Sequence, residues 1–166
     1  MRRSPDAVTG APDLVELQCA CATARRVARL VTQLYDAHLR PINLESTQFA
    51  LLSVLGSAGP STQVAIGRRF GFEKTTLSRN LKLLRERGWI ADSEAVSARE
   101  RPCALTAEGR KRLKAAQPAW RRAQDALRAS MGDREWQAMW TAFRGITAGA
   151  RTARHAPTRR RRTARA

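Results

Sequence analysis

The sequence predicts a mainly α-helical fold with a small β-wing, in which a helix-turn-helix is flanked by longer N- and C-terminal helices. Three observations predict it. Leu77, Leu81 and Leu84 recur at i, i+4, i+7, directly after a shorter helical pattern that stops at Gly71. Two brief apolar runs, Trp89–Asp92 and Pro102–Leu105, bracket a polar stretch, as the two arms of a hairpin do. Both ends of the chain carry long amphipathic patterns, rich in leucine at the start and tryptophan at the end.

Taken in order, residues 1–11 read as a disordered arm. From Pro12 to about Leu39 the apolar positions Leu14, Leu17, Cys21, Ala24, Ala28, Val31, Leu34, Tyr35 and His38 follow a helical period, and Pro41 closes the helix. Roughly 27 residues of helix span about 40 Å, longer than a body of this size needs for itself. Thr47 is placed to cap a second helix with Phe49, Leu51, Leu52 and Leu55 on its apolar face, ending near Gly56–Pro60. Ser61 and Thr62 open a short helix through Val64, Ile66 and Phe70, and Gly71 is the turn into the helix that runs to Gly88. After the two strands, whose connecting loop Ser93–Arg101 carries Arg99 and Arg101, Thr106 caps a helix with Glu108 near its positive end. That helix runs to about Ser130, with Pro118 a place to bend, and Met131-Gly132-Asp133 breaks it. The last helix places Trp136, Met139, Trp140, Phe143 and Ile146 on one face. Residues 151–166 read as an arginine-rich disordered tail.

The 166 residues suit one domain with a real core, and a hydrophobic fraction of 43% argues against wholesale disorder. No apolar run approaches a membrane span and no apolar segment follows the N-terminus, so the expected location is cytoplasmic. Net charge is +17; without residues 151–166, which hold seven arginines and no acid, 24 basic and 14 acidic residues remain, a net charge of +10. The folded body is therefore basic in its own right, which favours a polyanionic partner. Membrane-surface binding would need a basic amphipathic helix with an exposed apolar face, and the tail has none. Three cysteines, Cys19, Cys21 and Cys103, form neither a disulfide framework nor a zinc spacing, and no metal site or cofactor is expected.

The helix after Gly71 carries the chemistry. Opposite its leucine stripe lie Thr75, Arg79 and Lys82, with Ser78 and Arg85 on one flank and no carboxylate before Glu86. Such a face is either solvated surface or a reader of the DNA major groove; the turn before it and the wing after it favour the second. Thr75, Thr76, Ser78, Arg79 and Lys82 are then the residues near bases and phosphates. Arg79 is the base reader, because its planar fork matches guanine N7 and O6. Arg99 at the wing tip is expected to grip the minor groove or backbone, and Arg68 and Arg69 are either phosphate clamps or solvated charge.

Three segments, "TQFALL" at 47–52, "KTTLSRNLKLLRERGWI" at 74–90 and "LTAEGR" at 105–110, in this order and spacing, resemble the MarR family of winged helix-turn-helix repressors. The resemblance covers about residues 12–150, with the DNA module at about 45–106. It implies a homodimer built by dimerisation helices at about 13–40 and 107–150, a double-stranded DNA operator, and release by a small phenolic or apolar ligand in the cleft between these helices and the DNA module. Trp120, Trp136 and Trp140 would then face a partner subunit, the alternative being ordinary monomer core. In the family an Asp two residues before the wing arginine orients it; here Ser97 stands there.

Organic-hydroperoxide sensors of the same family carry a reactive cysteine near the start of the first helix, where Cys21 falls, and Tyr35 matches one of the tyrosines that hold its thiolate. The second tyrosine is replaced by Arg25, which at i+4 could favour the thiolate instead. The bland alternative is a buried, inert Cys21. At i, i+2 on the first helix the thiols of Cys19 and Cys21 point about 160° apart, so an intrahelical disulfide is not expected. An enzyme is the main rival class, but the sequence has no phosphate-binding loop, nucleophile elbow or metalloprotease signature. A non-specific nucleic-acid-packaging protein is the other rival, suggested by the tail.

Overall fold

The structure, a computed structural model, describes residues 19–93 and 101–155. Its helices and strands follow the predicted order: α1 Ala20–Leu39, a 3-10 turn Arg40–Ile42, α2 Ser46–Ala58, α3 Gln63–Phe70, α4 Lys74–Glu86, β1 Ile90–Asp92, β2 Cys103–Leu105, α5 Ala107–Met131 and α6 Asp133–His155. The chain divides into two compact units, residues 1–123 and 124–166, and the division falls inside α5.

In the first unit the core is built where the leucine stripes of α2 and α4 meet. Leu51, Leu52, Leu81 and Leu84 have no exposed surface, and Leu39, Leu44, Ile66, Leu77, Ile90, Leu105 and Ala116 close around them. α2 begins before the predicted cap. Glu45 is its N-cap and forms a reciprocal capping box with Gln48, so Thr47 lies within the helix and is not its cap. Asp36 of α1 adds a further N-terminal partner by accepting from the Ser46 amide at 2.7 Å. These carboxylates suit the positive end of the helix.

Thr62 caps α3 by accepting from the Ala65 amide at 3.2 Å. Gly71 then ends it in the left-handed region, φ 69°, which a side-chain-bearing residue rarely adopts. β1 and β2 pair antiparallel in the register Ile90↔Leu105, Ala91↔Ala104, Asp92↔Cys103. Ser61 adds a bridge to Cys103, with both amide-to-carbonyl distances 3.0 Å, and so ties the start of α3 to the wing's second strand. α5 continues through Pro118.

Two expected boundaries move. α6 runs on to His155, past the predicted end at 150, so Arg151 and Arg154 are helical and exposed and the tail cannot begin at 151. Cys19 is the N-cap of α1, in extended geometry, and only Cys21 is helical. The argument that helical spacing keeps their thiols apart therefore does not apply. The arm 1–11, the predicted start of the first helix, the wing tip with Ser97 and Arg99, and residues 156–166 lie outside the described residues. Among the described residues, no helix is long and apolar enough to cross a membrane.

Candidate nucleic-acid interface and effector cleft

α4 splits cleanly into two faces. Leu77, Leu81 and Leu84 are buried, while Lys74, Thr75, Ser78, Arg79, Lys82 and Arg85 are exposed. Thr76 is half-buried, and its carbonyl accepts from the Asn80 side chain at 2.9 Å. Asn80 is a polar residue on the core side, 7% exposed, and this local bond satisfies it. It lies about 60° from Leu77 around the helix, and that angle is the sequence signal that marks it. Only a short turn separates α3 from α4, and Gly67 sits against the Leu77 side chain, so the two helices meet closely. Arg68 and Arg69 are exposed on α3, with the Arg69 guanidinium 5.8 Å from the centre of the Phe70 ring.

The cationic face is less uniform than its sequence. Arg85 is bound to Asp92 of β1 through Nη2 at 2.8 Å and Nε at 2.9 Å, so it braces the wing against α4 and is committed before any ligand arrives. Lys82 pairs loosely with Glu86 at 3.8 Å, and both remain largely exposed, so the pair is readily exchanged. Arg79 enters no ion pair among the described residues. It borders a groove of about 440 Å³ whose walls include Lys82, Asn80, Glu45 and Glu86.

A second concavity, about 750 Å³, opens between α1, α2, α3 and α5. Phe49 and Trp120 stack along it with ring centres 5.8 Å apart, and Tyr35, Phe70 and Leu113 supply further apolar wall. Trp120, half-buried, thus packs against Phe49 of its own chain. Ser53, Gln117 and Arg121 bring polar groups to the same space. Burial pushes the Tyr35 phenol above its ordinary range, so it stays a neutral hydrogen-bond donor.

Tyr35 and Cys21 are not brought together within one chain. Fourteen positions along a helix are about 21 Å, and Cys21 is exposed in the first turn while Tyr35 faces the cleft. Cys103 is the one buried thiol among the described residues, donating toward the Ser61 carbonyl at 3.5 Å, and burial raises its pKa. No cluster of metal-ligating side chains occurs among the described residues.

This geometry has close counterparts. The family model described as MarR family matches residues 42–99, a span that takes in α2, α3, α4 and β1. The HTH-type transcriptional regulator YwoH of Bacillus subtilis is 30% identical over 117 residues, which is 70% of this chain and 85% of that one. The M. tuberculosis transcriptional regulator MosR, solved in complex with DNA, is 39% identical with a TM-score of 0.71, covering 82% of this chain and 98% of that one. A cysteine-to-serine mutant of E. coli MarR, solved with operator DNA, shares the fold at TM-score 0.72 and 17% identity, over 82% and 99% of the two chains. The relatives are transcriptional regulators and not enzymes. On the buried leucine stripe, the turn at Gly71, the hairpin and these likenesses together, the chain belongs to the MarR family of DNA-binding transcriptional regulators.

Proposed function

We propose that this chain acts as a homodimeric repressor that binds a double-stranded DNA operator through α4 and the wing and is released by a small phenolic or apolar ligand. The observation that carries the reading is the two-sided α4, whose leucines are locked in the core while Thr75, Ser78, Arg79 and Lys82 stand on the surface. Arg79 reads bases, Thr75, Thr76, Ser78 and Lys82 contact bases and phosphates, and Arg68 and Arg69 clamp the backbone. Arg99 keeps its expected role at the wing tip. The DNA module occupies about 45–106, the first helix and α5–α6 supply the dimer contacts, and the basic segment after α6 adds salt-dependent affinity.

Exposed apolar side chains support the dimer: Leu30 on α1 and Trp140, Phe143 and Ile146 on α6 are 40–59% exposed. The cleft supports the trigger. Its wall includes Phe70, the last residue of α3, one turn ahead of α4. A ligand pressing there would shift the two recognition helices, which must sit roughly 34 Å apart to reach successive grooves. The test is affinity for the gene's own upstream region against random duplex at fixed salt. A ratio of about 10³ or more supports regulation; a ratio near one would favour packaging.

A second reading rests on the exposed Cys21. Its thiolate would attack the O–O bond of an organic hydroperoxide, leaving a sulfenic acid on Cys21 and releasing the alcohol. Tyr35 could take part only from another chain. Unchanged DNA affinity after Cys21 has been oxidised would sink this reading.

A further inference from the structure

Trp89 sits between α4 and β1, and α4, Thr106 and the start of α5 converge on it. Its amide donates to the Leu84 carbonyl at 3.0 Å, and its carbonyl accepts from the Thr106 amide at 3.1 Å. Thr106 Oγ1 donates to the Gly88 carbonyl at 2.7 Å and accepts from the Gly109 amide at 3.0 Å. Gly109 of α5 lies so close that a Cβ there would run into the Trp89 carbonyl. The main chain around the indole is thus fixed from both sides.

The ring itself is held by two cations. The guanidinium of Arg87, at the C-cap of α4, and that of Arg112, on α5, each lie 4.9 Å from the ring centre. Both also reach the short segment that joins α1 to α2. Arg87 Nη1 donates to the Asn43 carbonyl at 3.4 Å and to the buried Gln48 Oε1 at 3.2 Å. Arg112 Nη2 donates to the Ile42 carbonyl, while its Nε is buried without a partner. Among the described residues neither arginine forms an ion pair. Each guanidinium thus lies over the ring and donates hydrogen bonds at once, which an ammonium does less well.

We propose that Arg87 and Arg112 are positioning residues for DNA recognition: by gripping Trp89 and the Ile42–Asn43 carbonyls together, they set the angle of α4 against the α1–α2 junction and α5. Neither needs to touch DNA. The inference rests on α4 being the reading helix, so the experiment carries Arg79→Ala as a control for that reading.

Full-length Arg87→Met, Arg112→Met and Arg79→Ala are titrated with a duplex selected by the wild-type protein from a random pool, and with a scrambled duplex, across a salt series. Both Met variants should weaken selected-duplex binding about tenfold, comparable to one lost base pair. Scrambled-duplex binding should stay within about twofold and the salt slope should be unchanged. A merely unstable protein would lose affinity for both duplexes in parallel. Arg112→Lys guards against misfolding; keeping the charge but losing the fork, it should cost about threefold on the selected duplex alone. A salt slope reduced by about 0.9 per substitution would make these arginines direct phosphate contacts and overturn the proposal; so would a parallel loss on both duplexes, or no loss on either. If Arg79→Ala leaves the selected-to-scrambled ratio intact, the reading of α4 fails and this inference with it. If Arg79→Ala lowers the ratio and the Met variants do not, only the positioning role fails.

Discussion

α4 and α6 carry the same kind of apolar stripe and meet opposite fates. On α4, Leu77, Leu81 and Leu84 are at most 1% exposed, because α2 and the wing close over them. On α6, Trp136 and Met139 are half-buried and Trp140, Phe143 and Ile146 are exposed. The α6 aromatics are nonetheless ordered among themselves, Trp136 on Trp140 and Trp140 on Phe143, both edge to face at 5.6 and 6.1 Å. Periodicity therefore says that a helix will form and which face is apolar, but not what covers that face. For α4 the chain itself supplies the cover and the polar side is left to act. For α6 the apolar side is the one left over.

The difference can be broken at several points. Leu81→Ala should destabilise the protein by about 2–5 kcal/mol, the range for emptying a buried leucine site. Read by chemical denaturation, that loss should appear as a lowered midpoint at every protein concentration. Trp140→Ser should act differently, costing about 2 kcal/mol in self-association if it is a central anchor. Sedimentation equilibrium would read it as a shift toward monomer; an unchanged association state would place the α6 face outside any dimer interface. Arg79→Ala tests the polar side of α4 and should cost about 1–3 kcal/mol in operator binding, with relaxed base preference and an unaltered melting temperature. Smallest is Asp92→Asn. The Arg85–Asp92 pair is partly exposed, 38% and 43% on its two sides, so its loss should cost under about 1 kcal/mol of stability. A larger loss would mean that the brace between α4 and the wing is more than a surface ion pair.

How much is legible varies by the range of the interaction. The order of the elements, the turn at Gly71, the Thr62 and Thr106 caps and the leucine stripe of α4 follow from neighbours within a few positions, and they stand in the fold where local chemistry puts them. The α2 cap departs from expectation because Thr47 is the commoner capping type, whereas Glu45 wins by exchanging bonds with Gln48. In sequence Arg85 belongs with the DNA face, because its partner, Asp92, sits across the turn in β1. Tyr35 and Cys21 share a helix, yet the fold turns Tyr35 into a cleft walled by Phe49 and Trp120. Trp89 gives no sequence sign of being a junction, since Arg112, whose guanidinium lies over it, belongs to a helix beyond the wing.

The sequence alone determined the helix-turn-helix with its wing, the basic character of the body and the side of α4 that faces outward. Each depends on periodicity, capping or charge, which act over one or two turns. Only the tertiary structure decided which cations are already spoken for, where the cleft opens, and that two arginines from separate helices meet at one indole. Those outcomes depend on which distant side chains share a neighbourhood after collapse, and no local pattern encodes it.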